Sequence, residues 1–322
     1  MKKQIVTTGF VLFSFMLPLK ATAASFSQIY VFGDSLSDTG NSFNATGIPP
    51  SPPYFQGRFS NGPVWSEYLA DDLGLTPQQQ TNYAFGGANS GSDNTLVPGL
   101  QGLPGLQQQI DSYKATNTSA DPNALYVVWA GANDYLSSST TNPAVPVNNL
   151  STAINSLADY GAKNVMVVNL PDLGKLPGTS GNTQVSTGLS ALSQAHNSGL
   201  AANLNLLSQQ SDVNIIPVDV NSLFNQAIAS PAQFNFTNVT ESCLTQTSVC
   251  SNPNEYLFWD DIHPTTAAHE FVGDLAFSSL ESKAVPEPAA NLGILTIGAL
   301  GALALHKRAT SRGIRSNTLS GK

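Results

Sequence analysis

The stretch QIYVFGDSLSDTGN, Gln28 to Asn41, decides the fold. Its first half is a short, nearly continuous apolar run rich in β-formers, the pattern of a strand buried on both faces. Its second half stops the run with Gly33, Asp34 and Ser35 and continues in small polar residues. Similar runs recur at ALYVVWAG from Ala124, NVMVVNLP from Asn164 and VNIIPVDV from Val213, with NYAF from Asn82 as a weaker candidate. Helical patterns lie between them. Leu150, Ile154, Leu157 and Ala158 share one face of the segment Leu150 to Tyr160, and Gln184 to Gln210 reads as a long Leu/Ala-spaced helix. Alternating strands and helices predict an α/β fold of three α/β/α layers, with a parallel central sheet of about five strands. Ligands in such folds bind beyond the carboxyl ends of the strands. The residues that follow each strand are therefore where function is sought.

Gly33-Asp34-Ser35 follows the first strand, Gly86-Gly87-Ala88 the weak one, and Gly131-Ala132-Asn133-Asp134 the Ala124 run. Near the end of the folded part comes FWDDIHPT, Phe258 to Thr265. These four places supply what acyl transfer to a serine requires. A free hydroxyl is a weak nucleophile at neutral pH and needs a base. His263 is the best candidate for one. Asp260, three residues earlier, can be presented by the same short turn to fix the imidazole tautomer. A developing oxyanion needs donors aimed at it. The Ser35 and Gly87 N–H groups and the Asn133 amide fit that need.

In this order the blocks resemble the GDSL-type serine hydrolases of the SGNH superfamily: GDSLSDTGN, NYAFGGA, GAND and DDIHPT. GRFSNGPVWSEYL, Gly57 to Leu69, resembles a stretch common in the lipase and phospholipase branches of that family. The resemblance covers Gln28 to Leu280 and implies an SGNH hydrolase-like, flavodoxin-like sandwich. It also implies Ser35 as nucleophile, His263 as base, Asp260 as its partner, and Ser35, Gly87 and Asn133 as the oxyanion hole. The family's D-x-x-H spacing selects Asp260 over Asp261, and counting from Asn82 favours Gly87 over Gly86. No metal or organic cofactor is implied. The substrate class is a small-molecule or lipid ester. A carbohydrate O-acetyl ester, transfer to another acceptor, and a matrix protein that only binds are the alternatives. No G-x-S-x-G occurs, which argues against an α/β-hydrolase elbow.

The ends of the chain read differently. Residues 1–23 carry Lys2 and Lys3, an apolar stretch and Ala21-Thr22-Ala23, the pattern of a secretory signal peptide; an uncleaved anchor is the alternative. Residues 285–322 begin with VPEP, continue in an uncharged apolar run over 289–305 and end in Lys307, Arg308, Arg312 and Arg315. That run is within reach of a bilayer span, and the basic end fits the positive-inside rule. The order resembles a PEP-CTERM sorting tail. It implies processing by a membrane exosortase and delivery to the bacterial surface or matrix, with membrane anchoring if the tail stays on. The domain between is expected over 24–284.

Eight of the 13 Lys and Arg residues lie in these ends: Lys2, Lys3, Lys20, Lys307, Arg308, Arg312, Arg315 and Lys322. The other five stand against 21 Asp and Glu over residues 24–288, a formal net charge of −16. Such a surface repels polyanions, which excludes nucleic acid as a partner class. The only two cysteines, Cys243 and Cys250, are expected to close a small disulfide loop in an exported protein.

The Gly/Pro/Asn-rich stretch Asn41 to Pro63 is too long for a plain connector. Tyr54, Phe55, Phe59 and Trp65 either line an acyl pocket or pin this loop, and the residues alone do not choose. Asp38 is expected to cap the helix after the serine, and Asp134 to order its own loop. His196 is expected to pack or lie at the surface of its helix, and His269 to face solvent.

Overall fold

A computed structural model describes residues 26–76 and 79–284. In chain order the elements are β1 (Ile29–Gly33), α1 (Asn41–Thr46), α2 (Trp65–Asp72), α3 (Leu106–Thr116), β2 (Leu125–Trp129), α4 (Ala132–Leu136) and α5 (Ala144–Asp159). They continue with β3 (Asn164–Val168), α6 (Pro177–Ser180), α7 (Thr183–Gln210), β4 (Asn214–Val218) and α8 (Val220–Ala229). β5 (Asn238–Ser242), β6 (Tyr256–Phe258) and α9 (Thr266–Ala284) close the described chain.

β1 to β4 form one parallel sheet in the order β1-β2-β3-β4, with Gly33 beside Trp129 at the carboxyl ends. The strand expected at Asn82 is not a full member of it. It makes one parallel bridge, Asn82 to Val31, and the Tyr83 and Phe85 N–H groups donate to Val31 and Gly33 carbonyls. On its far side the Asn41 side chain takes the Asn82 and Ala84 carbonyls (2.8 and 2.9 Å), which ends the ladder there. Counted as a partial strand, this segment gives the order 2-1-3-4-5, whose switch point lies beside β1. Ser35 stands just beyond that point.

Alternation along each strand sorts the core into two layers. Leu125, Val127 and Trp129 of β2 face one layer with Trp65 and Leu69 of α2, Phe224 of α8 and Val272 of α9. Tyr126 and Val128 face the other, with Ile110 of α3, Leu150 and Ile154 of α5 and Leu200 of α7. Both faces of the parallel sheet are thus buried under helices. Pro217 sits in β4, the outer strand. Its neighbours bond toward β3, Asn214 through its N–H and Val218 through its carbonyl, so the missing Pro217 N–H faces outward.

Cys243 and Cys250 are joined by a disulfide, as expected. No helix among the described residues is long and apolar enough to cross a membrane. The expected leader, 1–23, and the apolar run, 289–305, lie outside the described residues.

Candidate active site

β1 ends at a glycine because nothing larger fits. A Cβ on Gly33 would lie 2.2 Å from the Trp129 carbonyl oxygen. Both polar groups of Gly33 are held by one buried side chain of α3. The Gln109 Oε1 accepts from the Gly33 N–H, and its Nε2 donates to the Gly33 carbonyl, each at 2.8 Å. The chain then turns through Asp34, whose Oδ1 accepts from the Leu36 N–H (3.1 Å) while its carbonyl accepts from Ser37 and Asp38. Burial pushes the Asp34 carboxyl up to about 7.

This turn sets Ser35 against the segment after β6. Ser35 Oγ lies 2.8 Å from His263 Nε2. His263 Nδ1 lies 2.7 and 2.9 Å from the two Asp260 oxygens. The Asp260 Oδ1 also accepts the N–H groups of Ile262 (2.9 Å) and His263 (2.7 Å), so the three-residue spacing closes on itself as one turn. Burial alone would raise the Asp260 carboxyl. The facing imidazole and the donors around it outweigh burial and hold it at about 2. Asp261 points elsewhere and accepts from Ser242 Oγ (2.8 Å).

The expected oxyanion donors come from three elements. The Gly86 N–H is engaged with Asp38 Oδ2 (2.9 Å) and Ser42 Oγ (2.7 Å). The next N–H, that of Gly87, makes no hydrogen bond among the described residues. Gly87 has φ +73°, and a Cβ there would lie 2.3 Å from the Leu96 nitrogen, so both conformation and space require glycine. Asn133 donates one amide hydrogen to the Ala88 carbonyl (3.0 Å), which fixes its orientation beside the Gly87 turn and leaves the second hydrogen. Asp134, expected to order its own loop, instead reaches a distant segment through its carboxylate. It accepts from Ser90 N–H (2.8 Å) and Oγ (2.7 Å) and so ties the glycine turn to α4. Asp38 does cap α1, accepting from Gly40, Asn41 and Ser42.

A cavity with an empty volume of about 470 Å³, partly open to solvent, adjoins Ser35, Asn133 and His263. Its walls are mostly apolar, among them Leu36, Leu136, Leu176, Phe224 and Ile262. None of the four aromatics of the long loop region lines it. Trp65 is buried, donates through Nε1 to Ser37 Oγ (3.1 Å) and packs edge-on to Trp129. Phe59 lies against the His263 ring at 5.1 Å. Phe55 sits under the Arg58 guanidinium at 5.8 Å. The Tyr54 hydroxyl donates to Asp260 Oδ2 at 2.7 Å. Toward its C-terminal end the loop is pinned twice: Arg58 pairs with Glu67 of α2 (2.7 Å), and Ser60 Oγ donates to the Pro264 carbonyl (2.9 Å). The apolar walls come from several segments far apart in sequence, from Leu36 to Ile262.

Two further histidines stand outside the hydrogen-bonded chain of Ser35, His263 and Asp260. His196 is buried beside Gly131, 3.0 Å from the Tyr135 hydroxyl, and burial pushes it down to about 4. His269, expected at the surface, is 1% exposed. Its Nδ1 accepts from the Trp65 N–H (3.3 Å), one of the donors a helix start leaves unpaired.

A model of the GDSL-like lipase/acylhydrolase family matches residues 29–276. A model of the PEP-CTERM protein-sorting motif matches residues 284–308. A phosphatidylcholine-sterol acyltransferase of Aeromonas hydrophila is 30% identical over 314 residues, covering 80% of this chain and 91% of that protein. A thermolabile hemolysin of Vibrio parahaemolyticus is 32% identical over 276 residues, covering 79% of this chain and 63% of the hemolysin. Among solved structures, an aryl esterase of M. smegmatis is similar at a TM-score of 0.48 and 19% identity, covering 79% of this chain and 98% of that one. With a family match that runs from β1 into α9, the chain belongs to the GDSL-like lipase/acylhydrolase family and is an ester hydrolase of that family.

Proposed function

We propose that the protein is an exported serine esterase that accepts acyl esters through an acyl-enzyme on Ser35. The observation that carries this reading is the chain Ser35 Oγ–His263 Nε2–Asp260, opening on an apolar cavity. Ser35 Oγ attacks the ester carbonyl carbon while His263 Nε2 takes its proton. Asp260 holds Nδ1–H toward itself and stabilises the imidazolium that forms. The N–H groups of Ser35 and Gly87 and the free Asn133 hydrogen receive the oxyanion. His263 returns the proton to the leaving alcohol. Water, deprotonated by the same imidazole, then attacks the acyl-enzyme and releases the acid. The apolar walls favour an acyl chain beside the nucleophile.

Residues 1–23 are read as the leader, 24–284 as the hydrolase domain and 285–322 as the sorting tail, with an exosortase-type enzyme as processing partner. The sorting motif at 284–308 supports the tail. The processed protein would lie at the cell surface or in the matrix.

The test is hydrolysis of a p-nitrophenyl ester series, acetyl to palmitoyl, by the protein and its Ser35→Ala variant. Turnover that survives the substitution at the wild-type rate refutes the reading. A profile confined to acetyl would move it to a carbohydrate O-acetyl esterase. The acyltransferase relative supports a second reading, capture of the acyl-enzyme by an alcohol. Addition of an alcohol acceptor then gives a new ester at the expense of free acid.

A further inference from the structure

We propose that Tyr54 is a positioning residue of the catalytic chain, orienting the Asp260 carboxylate for His263. The proposal rests on the reading of Ser35, His263 and Asp260 above. A buried carboxylate that must hold one imidazole in one orientation needs its remaining lone pairs satisfied. Asp260 Oδ1 meets this from its own turn, through the Ile262 and His263 N–H groups. Oδ2 has no such local donor. Among the described residues it accepts, besides His263 Nδ1, only the Tyr54 hydroxyl, 206 positions away in sequence, at 2.7 Å. With Tyr54 in place the carboxylate cannot rotate without breaking a bond at each oxygen. Without it, Oδ2 keeps the imidazole alone.

The tyrosine is built to stay a donor and to stay in place. Burial first, and then the Asp260 charge, push its hydroxyl well above the ordinary range, so it remains protonated. Its ring packs edge-on to Phe59 and Trp259, with centroids at 6.4 and 6.3 Å, and Phe59 in turn covers His263. The long loop therefore holds the acid with one side chain and the base with another.

Tyr54→Phe keeps the ring and removes the donor. The expected result is a kcat lowered by about tenfold, as for loss of a hydrogen bond to a charged group, with KM and Tm near wild type. The acidic limb of the kcat/KM profile also moves. A carboxylate relieved of one donor holds the protonated imidazole more tightly, so the limb shifts to higher pH. The other titratable groups facing this pair are Asp34, Asp261 and His269. They are the same in both proteins, so their titration is common to both profiles. A double-mutant cycle completes the test: in an Asp260→Asn background, Tyr54→Phe should cost less than twofold further.

Several outcomes overturn the proposal. An unchanged kcat and an unshifted limb would do so, as would full additivity with Asp260→Asn. A lowered Tm with no movement of the limb would assign Tyr54 to loop packing alone. Failure of the parent reading is distinguishable, because it shows as turnover in Ser35→Ala.

Discussion

The Ser35 end and the Asp260 end of the hydrogen-bonded chain face different surroundings. Ser35 opens on the partly solvent-open cavity with mostly apolar walls. Asp260 adjoins a polar cleft with an empty volume of about 990 Å³, shared with Tyr54, Glu241, Ser242 and Gln246. His263 connects the two. The contrast teaches a division of labour. The apolar side can desolvate a substrate and strengthen the charges that develop there. On the other side the imidazole, the Ile262 N–H and the Tyr54 hydroxyl keep the carboxylate ionised and oriented.

The most severe break of this contrast is at the nucleophile. Ser35→Ala should lower kcat by about 10⁴-fold or more while far-UV circular dichroism stays native. Next is Gly87→Ala. It forces a side chain into a backbone conformation at φ +73° and against Leu96, so the oxyanion donor moves. A loss of about 10²-fold in kcat on every ester of the series is expected. The third substitution sharpens the apolar side alone. Phe224 lines both the Ser35 cavity and a second apolar one whose walls include Phe234, Phe236 and Phe271. Phe224→Ala should join them and shift the preferred acyl chain upward, by about fourfold in kcat/KM for each added methylene that is buried. Differential scanning of the same variant should show a stability cost of about 3 kcal/mol. An unchanged chain-length profile would place the acyl chain elsewhere.

The mildest effect concerns Asp34, at the edge of the apolar side. Its folded-state carboxyl is raised from 3.8 to about 7 by burial. Between those values the folded chain binds a proton that the unfolded chain has released, so stability falls as pH rises through this window. Asp34→Asn removes that term. The Tm difference, variant minus wild type, should therefore grow from pH 4 to pH 7.5, by about 2–4 °C for each kcal/mol involved. A difference that shrinks with pH would contradict the buried, protonatable state.

The sheet, both covering layers and the Ser35–His263–Asp260 turn were legible because each is written locally. A parallel strand is an apolar run, and Asp260 meets His263 within one turn of three residues. The segment at Asn82 was harder. Its backbone pairs with β1 like a strand, yet Asn41 takes its outer carbonyls, and no period in NYAF foretells that. Tyr54 was legible as important but not in its role, since its partner lies 206 positions on. His269 misled because helical spacing alone says nothing of the α2 start that needs its acceptor. The cavity walls were invisible for the same reason: Leu36, Phe224 and Ile262 become one surface only after the elements pack.

Pro217 gives the sheet a property unrelated to turnover. An outer strand offers its outward N–H and C=O groups to any passing chain, which is how sheets join edge to edge and aggregate. A proline whose nitrogen faces outward interrupts that row at its centre, and the partial strand at Asn82 covers the opposite edge. Both open flanks of the sheet are thereby blunted as templates for edge-to-edge pairing.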